Sequence, residues 1–477
     1  MRYVAPPGGN IVEATLQGGL FDLPAGEVRM AAGLNYRHDS YDHDPDAVWR
    51  SGDLQGLSAQ FPSGGSHDVT EIFAEVLLPL VRNAPLMEKL DLDLGYRFSD
   101  YSTIGSVSTY KADVEWTIKP WAQLRGGYSR AIRAPSLGEL FAPRTPATVV
   151  IGIASPTSTN GDPCDVRSSF RQGPNAAAVR QLCLDQGVPL SAIDTFTFTS
   201  VNIYADAVGN PDLEEEKADT YSVGLILPST LETPWLSRLQ FSVDYYSITI
   251  DDAIGRLPFA TGLLRCFNGD GISNPTYDPN NVNCVVVARN AVGTITGGLI
   301  PTLNLASYET RGVDFQLDWA VPLDAFGAGS GDLRLHMVAN RLLSFDLTSL
   351  PGAATLDYAG YSSSPIASNV LPKWKATSSL SFVKGGLNLG VRWRYIGATK
   401  EVSRLLTPTS TAPGPDAYNY FDLFGSFDVN DTLSIRGGVS NLTDKKPPQI
   451  GTALGNTDIS TYDLLGTSFY LGLRATF

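Results

Sequence analysis

Four cysteines and a scatter of histidines and acids are the residues of this chain whose types could do chemistry. Cys164 and Cys183 lie in one stretch rich in Gly, Pro, Asp and Asn, and Cys266 and Cys284 in another. Neither pair has CxxC spacing and no histidine is close by, so zinc is a poor reading. Two loop disulfides, paired by proximity in sequence, suit an oxidising compartment; the alternative is four unpaired thiols. His38 and His43 stand among Asp39, Asp42, Asp44 and Asp46, types that could hold a metal in a loop, although a solvated loop is the plainer reading. Asn268-Gly269-Asp270-Gly271 lacks the remaining ligands of a calcium loop. Gly127-Tyr128-Ser129-Arg130-Ala131 faintly outlines a nucleophile elbow, but it lies in a strand pattern with no helix after it. Gly327-Ala328-Gly329-Ser330-Gly331 is a turn without the strand-to-helix step that a phosphate loop needs. No catalytic set converges and no cofactor is called for, so the expectation is a chain that is not an enzyme.

Composition narrows the class. The net charge of −14 supplies no basic stripe for phosphates, which argues against nucleic acid as a partner. With 46 Gly, 31 Pro, 20 Tyr, 20 Phe and 7 Trp in 477 residues, many strands and turns are favoured over helices. No linker-like break divides the chain, so residues 1–477 read as one repeated architecture. No window of some 18 to 20 apolar residues exists for a membrane-spanning helix. A β-barrel remains open, because its apolar signal appears only at every second residue.

The elements that must position these residues are strands of period two. Leu90, Leu92, Leu94, Tyr96 and Phe98 interleave with Asp91, Asp93, Gly95, Arg97 and Ser99; Val313, Phe315, Leu317, Trp319 and Val321 interleave with Gly312, Asp314, Gln316, Asp318 and Ala320. Expected strands cover about 10–20, 26–39, 67–80, 86–99, 105–118, 121–133, 217–228, 235–251, 308–321, 331–345, 370–383, 387–400, 418–429, 432–444 and 466–477. Most match or exceed the roughly 9 to 11 residues that cross a bilayer at a tilt. Tight turns alternate with long connections, at about 40–66, 134–216, 252–307, 346–369, 401–417 and 445–465. Short turns on one rim and long loops on the other are the plan of an outer-membrane barrel, whereas a soluble sandwich gives no reason for that parity. Trp116, Trp121, Trp235, Trp374, Tyr395, Tyr418 and Tyr420 fall near strand ends, as interfacial girdles would. The polar face, with Arg37, Asp91, Asp93, Arg97, Asp113, Glu115, Asp314, Asp318, Arg392, Arg394, Asp422, Arg436 and Arg474, is expected to line a lumen.

Arg125 to Phe141 resembles a stretch of the TonB-dependent receptor family. Here it reads Tyr128-Ser129-Arg130-Ala131-Ile132-Arg133-Ala134-Pro135, then Glu139-Leu140-Phe141. The resemblance continues through Gly209-Asn210-Pro211-Asp212-Leu213 to Tyr221, through Glu309-Thr310-Arg311-Gly312, Tyr420-Phe421-Asp422-Leu423 and Asn441-Leu442-Thr443-Asp444-Lys445, and to the terminal aromatic Phe477. It implies an all-β, antiparallel transmembrane barrel of 22 strands in the bacterial outer membrane, filled by an N-terminal plug. Energy would arrive from the TonB complex through a TonB-box peptide ahead of that plug.

The front of the sequence shows neither plug, TonB box nor signal peptide, and about fifteen strands are counted, so the expectation is the C-terminal portion of a longer receptor. The function expected is TonB-dependent uptake of a scarce solute, such as a siderophore–iron complex, cobalamin or a glycan, with membrane lipid and the small solute as partners. The alternatives are a passive porin-like channel and a soluble secreted β-rich binding protein. Long loops are expected to be mobile ligand-binding elements on a rigid wall. Arg130 and Arg133 are expected to pair with acids near the rim rather than point at ligand.

Overall fold

The computed structural model describes residues 8–53, 59–362, 370–407, 409–450 and 456–476. Fifteen long strands follow one another as an antiparallel meander: β1 (Gly8–Leu23), β2 (Gly26–His43), β3 (Ser63–Ala84), β4 (Met87–Tyr101), β5 (Gly105–Lys119), β6 (Ala122–Arg133), β7 (Glu216–Pro228), β8 (Leu239–Arg256), β9 (Leu299–Pro322), β10 (Asp332–Thr348), β11 (Trp374–Lys384), β12 (Leu387–Ile396), β13 (Tyr418–Asn430), β14 (Leu433–Ser440) and β15 (Ser468–Ala475). Each pairs with its predecessor, from β1 against β2 to β14 against β15. Among the described residues no ladder joins β1 to β15.

The number of strands and the alternation of rims agree with the sequence pattern. Several boundaries shift by four or more residues: the third strand runs Ser63–Ala84 rather than 67–80, the eleventh begins at Trp374 rather than 370, and the twelfth and fourteenth end at Ile396 and Ser440 rather than 400 and 444. The eighth strand begins at Leu239 rather than near Trp235, and the ninth begins at Leu299, nine residues before Tyr308. Trp235 instead lies in the turn, where its carbonyl accepts the Trp319 indole N–H at 2.7 Å. The ninth strand is long because its outer end pairs with a strand from another loop, a constraint with no local sequence signal.

The two faces differ as the alternation requires. Ile72 (55% exposed), Val223 (61%) and Leu389 (52%) stand bare on the outer face. Asp91, Ser99, Ser242 and Asp422 are buried on the concave face. Such a distribution inverts that of a soluble protein and suits a wall with lipid outside and polar groups inside. Aromatic groups mark both levels of the wall. Trp116, Trp121, Trp235 and Trp319 lie near the short-turn rim, while Phe315 stacks on Trp374 (6.0 Å) and Trp393 lies beside Tyr395 (5.8 Å) toward the other. Tyr418 and Tyr420 depart from the expected girdle. The register sets Tyr420 opposite Arg394 on the concave face, where it is fully buried.

The largest apolar core is outside the sheet. Residues 134–215 between β6 and β7, and 257–298 between β8 and β9, fold together as a cap. One helix, α1 (Ala176–Asp185), turns Val179, Leu182 and Cys183 inward at helical spacing; another, α2 (Phe259–Cys266), does the same with Phe259, Leu263 and Cys266. Disulfides join Cys164 to Cys183 and Cys266 to Cys284, so each helix is tied to its own loop. The strand Asn202–Val208 pairs with Thr145–Val150 on one side and, in parallel, with Leu299–Pro301 of β9 on the other, which fastens the cap to the wall. The expected mobile loops are, over these two stretches, a packed body.

Candidate functional site

Three features stand out: a clasp at the long-loop rim, the cap, and a cavity on the concave wall. The clasp is built by the two stretches that carried the sequence resemblance. Ser136 and Glu139 form a reciprocal cap that starts the short helix Leu137–Phe141 directly after β6. Arg133 donates to Glu216 at 2.6 and 2.7 Å and to Glu139 at 2.9 and 3.0 Å, so one guanidinium joins β6, the helix and the start of β7. Backbone N–H groups of Gly209 and Asn210 donate to the carbonyls of Ala142 and Glu139. Gly209 is required here, because a Cβ would lie 2.6 Å from the Ala142 nitrogen. Leu140 is buried, and the Phe141 carbonyl accepts the Tyr41 hydroxyl from β2 at 2.9 Å. Pro135 and Ala134 lie in the irregular step between strand and helix, where Pro135 has no N–H to extend the ladder.

Tyr128 and Arg130 belong to the opposite face of β6. Tyr128 packs on Tyr221 (4.8 Å) and donates to Asp219 (2.7 Å), and Arg130 lies 3.7 Å from the same carboxylate. Both arginines therefore pair with acids, and neither points into the cavity. Ser129 shares the concave side with Arg125 and Arg133 by alternation.

The cap is held by an ion pair without solvent. Arg289 donates to both oxygens of Asp162 at 2.7 Å, and both side chains are 0% exposed. Asp162 also accepts the Cys164 N–H, and Arg289 donates to the Gly293 carbonyl, so the pair bridges the two segments of the cap. Asp165 is the second buried acid. Burial pushes its carboxyl up, but the Arg167 guanidinium and the N–H groups of Phe198 and Arg167 outweigh that and hold it below the usual carboxylate range. Its folded pKa is thus depressed, so its stabilisation is complete above the ordinary aspartate range and is lost as pH falls through the depressed value. Limited proteolysis should find the cap resistant at about pH 4 and cleaved only in stronger acid. In Asp165→Asn that acid step should vanish; an unchanged acid profile would refute the assignment.

The concave wall carries cross-strand pairs, Arg97 with Glu71, Lys111 with Glu75 and Asp93, Asp91 with Arg82, and Asp318 with His336, and Asp91 also meets Lys89 of its own strand. Between β6 and β12 this wall bounds a cavity of about 740 Å³. Its lining includes Arg125, Asp244, Asp314, Asn340 and Lys375, together with Ser460 and Thr461. Those two come from residues 456–465, a strap that folds back onto the wall ahead of β15. Asp463 of the strap accepts two hydrogen bonds from Arg394 (3.0 and 2.6 Å), which also binds Asp422. Tyr462 is buried with Val370, Ile396, Tyr420 and Ile450, and Asp458 accepts the Val370 N–H at 2.8 Å.

Asn441 ends β14 in a left-handed conformation (φ 53°); its side chain brackets Lys445, and its N–H donates to Asp422. Leu442 is half exposed and donates its N–H to the Phe421 carbonyl. Both residues thus belong to the turn from which the strap departs. Phe477 lies outside the described residues. The histidine and acid segment does not gather: His38 meets Asp68 and His67 meets Asp39, and among the described residues no group of three or more such side chains could hold a metal. The strap has no signal in the local sequence. Asp463 meets a partner 69 residues away, and nothing local announces that.

The family model described as TonB dependent receptor-like, beta-barrel matches residues 3–442. No curated protein matches the sequence. Among solved structures, the fold is similar to a ferric enterobactin receptor of Pseudomonas aeruginosa, with TM-score 0.62 and 17% identity over 99% of this chain and 54% of that one. It is similar also to the siderophore receptor PirA of Acinetobacter baumannii, with TM-score 0.57 and 15% identity over 99% and 55%. At such identities the likeness is one of fold. This chain spans about half the length of those receptors.

Proposed function

Since the chain belongs to the TonB-dependent receptor β-barrel family of the bacterial outer membrane, we propose that residues 1–477 serve as the wall of a receptor for TonB-dependent uptake of a scarce solute. The solute classes that fit are a siderophore–iron complex, cobalamin or a glycan. The observation that carries this reading is the concave polar wall, with its cavity of about 740 Å³, behind an apolar outer face. A cavity of that size is within the range of small-molecule sites. The partners of this reading are outer-membrane lipid, the solute, and the TonB complex through a plug and TonB box. The same reading makes the protein a transport receptor rather than an enzyme.

The test is uptake by cells whose outer membrane carries the protein, using radiolabelled ferric siderophore, cobalamin and an oligosaccharide, each with and without a protonophore. Receptor function predicts saturable uptake of one solute that the protonophore abolishes. Uptake that survives the protonophore and does not saturate would instead make the barrel a passive channel.

A further inference from the structure

The outer face of the wall is hollowed where two glycines meet. Gly425 of β13 stands opposite Gly437 of β14, so two neighbouring outward positions carry no side chain. Leu389 of β12 leans over the pair from one side, its Cδ2 2.7 Å from where a Gly425 Cβ would lie, and Leu471 of β15 from the other, 3.5 Å from a Gly437 Cβ. Together with Phe382, Leu423, Phe427 and Ile435 the glycines line a groove of about 700 Å³. The groove belongs to the half of the wall toward the short-turn rim. It begins at Leu387, directly after the turn Lys384-Gly385-Gly386, and reaches Val391, which is about 13 Å of strand. The apolar band of such barrels is about 25 Å tall, so the groove is one leaflet deep.

Lys384 stands at its foot. The register sets Lys384 opposite Leu387 on the outer face, and it is exposed. By alternation, the outward positions of β11 to β15 carry no other charged side chain among the described residues. No ion pair engages Lys384 among them either. A lysine at the edge of the apolar band extends its ammonium to the level of the lipid headgroups, where an anionic lipid answers it.

We propose that this groove seats an anionic phospholipid of the leaflet at the short-turn rim, with an acyl chain lying over Gly425 and Gly437 and the phosphate held by Lys384. The proposal rests on the receptor-barrel reading, which puts this face in lipid, and it names one site and one headgroup charge on that face. Charge selects the lipid over a second copy of the chain. A two-fold pairing through this patch would bring the same patch against itself, with a second lysine and no anion.

The experiment is titration of the full chain, folded in detergent, with dioleoyl phosphatidylglycerol and with dioleoyl phosphatidylcholine in mixed micelles, bound lipid being counted by native mass spectrometry. Phosphatidylglycerol should occupy one site at least fivefold more tightly than phosphatidylcholine, about the worth of one cation beside an anionic lipid. Lys384→Gln should remove that preference and Lys384→Arg should keep it. Gly437→Leu has room for its Cβ and fills the groove, so it should weaken both lipids at least fivefold while leaving the charge in place. Equal binding of the two lipids, a preference indifferent to Lys384→Gln, binding indifferent to Gly437→Leu, or a dimer in place of the lipid would each overturn the proposal. Heat-modifiable gel mobility, measured on every sample, separates the two readings. A chain that never folds as a barrel sinks the receptor reading, whereas a folded barrel without the phosphatidylglycerol preference sinks only this one.

Discussion

Arg289→Ala should destabilise the cap by about 3–5 kcal/mol, because it leaves the Asp162 carboxylate charged and buried with no cation to answer it. The pair has 0% exposure on both sides and lies beside the Cys164–Cys183 bridge, so no water can take over the role of the guanidinium. Arg289 also joins the second cap segment to the first, so its loss should separate the two rather than loosen one turn. Urea-dependent proteolysis of the cap is the measurement. Asp162→Ala alone should be similarly costly, and the double variant should cost clearly less than the two single losses added together. Strict additivity would mean that the pair does not act as a unit. The strands should keep their heat-modifiable mobility throughout, since the antiparallel ladders from β1 to β15 are made by the wall strands themselves.

Leu94→Arg carries the second large expectation. Leu94 lies in the middle of β4, paired with Val76 and Ala112 on the outer face, and is 40% exposed without a membrane around it. A guanidinium at mid-membrane costs about 2–4 kcal/mol. Gln316→Arg places the same charge on the concave face, beside Asp314 and Asp318, and should cost little. The two variants should therefore differ sharply in the folded fraction recovered from urea into lipid vesicles. Equal tolerance would mean that both faces of the sheet meet water.

These expectations divide along what the sequence made legible. The strands were readable because alternation is a local signal, and the turn at Lys384-Gly385-Gly386 needed the positive φ that Gly385 supplies (56°). Pairing of Arg133 with a rim acid was readable in kind, since a charge beside a strand end seeks a partner, but the double engagement of Glu139 and Glu216 needed the fold. The cap was not read as a body. Its helices are short, at 10 and 8 residues, and stand among Gly, Pro and Asn, so composition pointed to loop. The apolar spacing of Val179, Leu182 and Cys183 was present and is the signal that could have found it. The neighbours along the concave wall were harder still. Asp314 was expected on the lumenal face, but its hydrogen bond from Asn340 depends on which residue the register sets opposite it.

One claim is central: the apolar face of this sheet meets lipid and the polar face does not. Native cysteines are all in disulfides among the described residues, so a single introduced cysteine can carry a spin label. Labels placed in turn at Leu94, Val223 and Leu389, and at Thr109, Gln316 and Arg392, would be examined in vesicles for collision with oxygen, which favours lipid, and with a water-soluble nickel chelate. The first three should favour oxygen and the second three the chelate. Six labels that all favour the chelate, or a pattern that fails to alternate with strand position, would contradict a membrane-spanning wall.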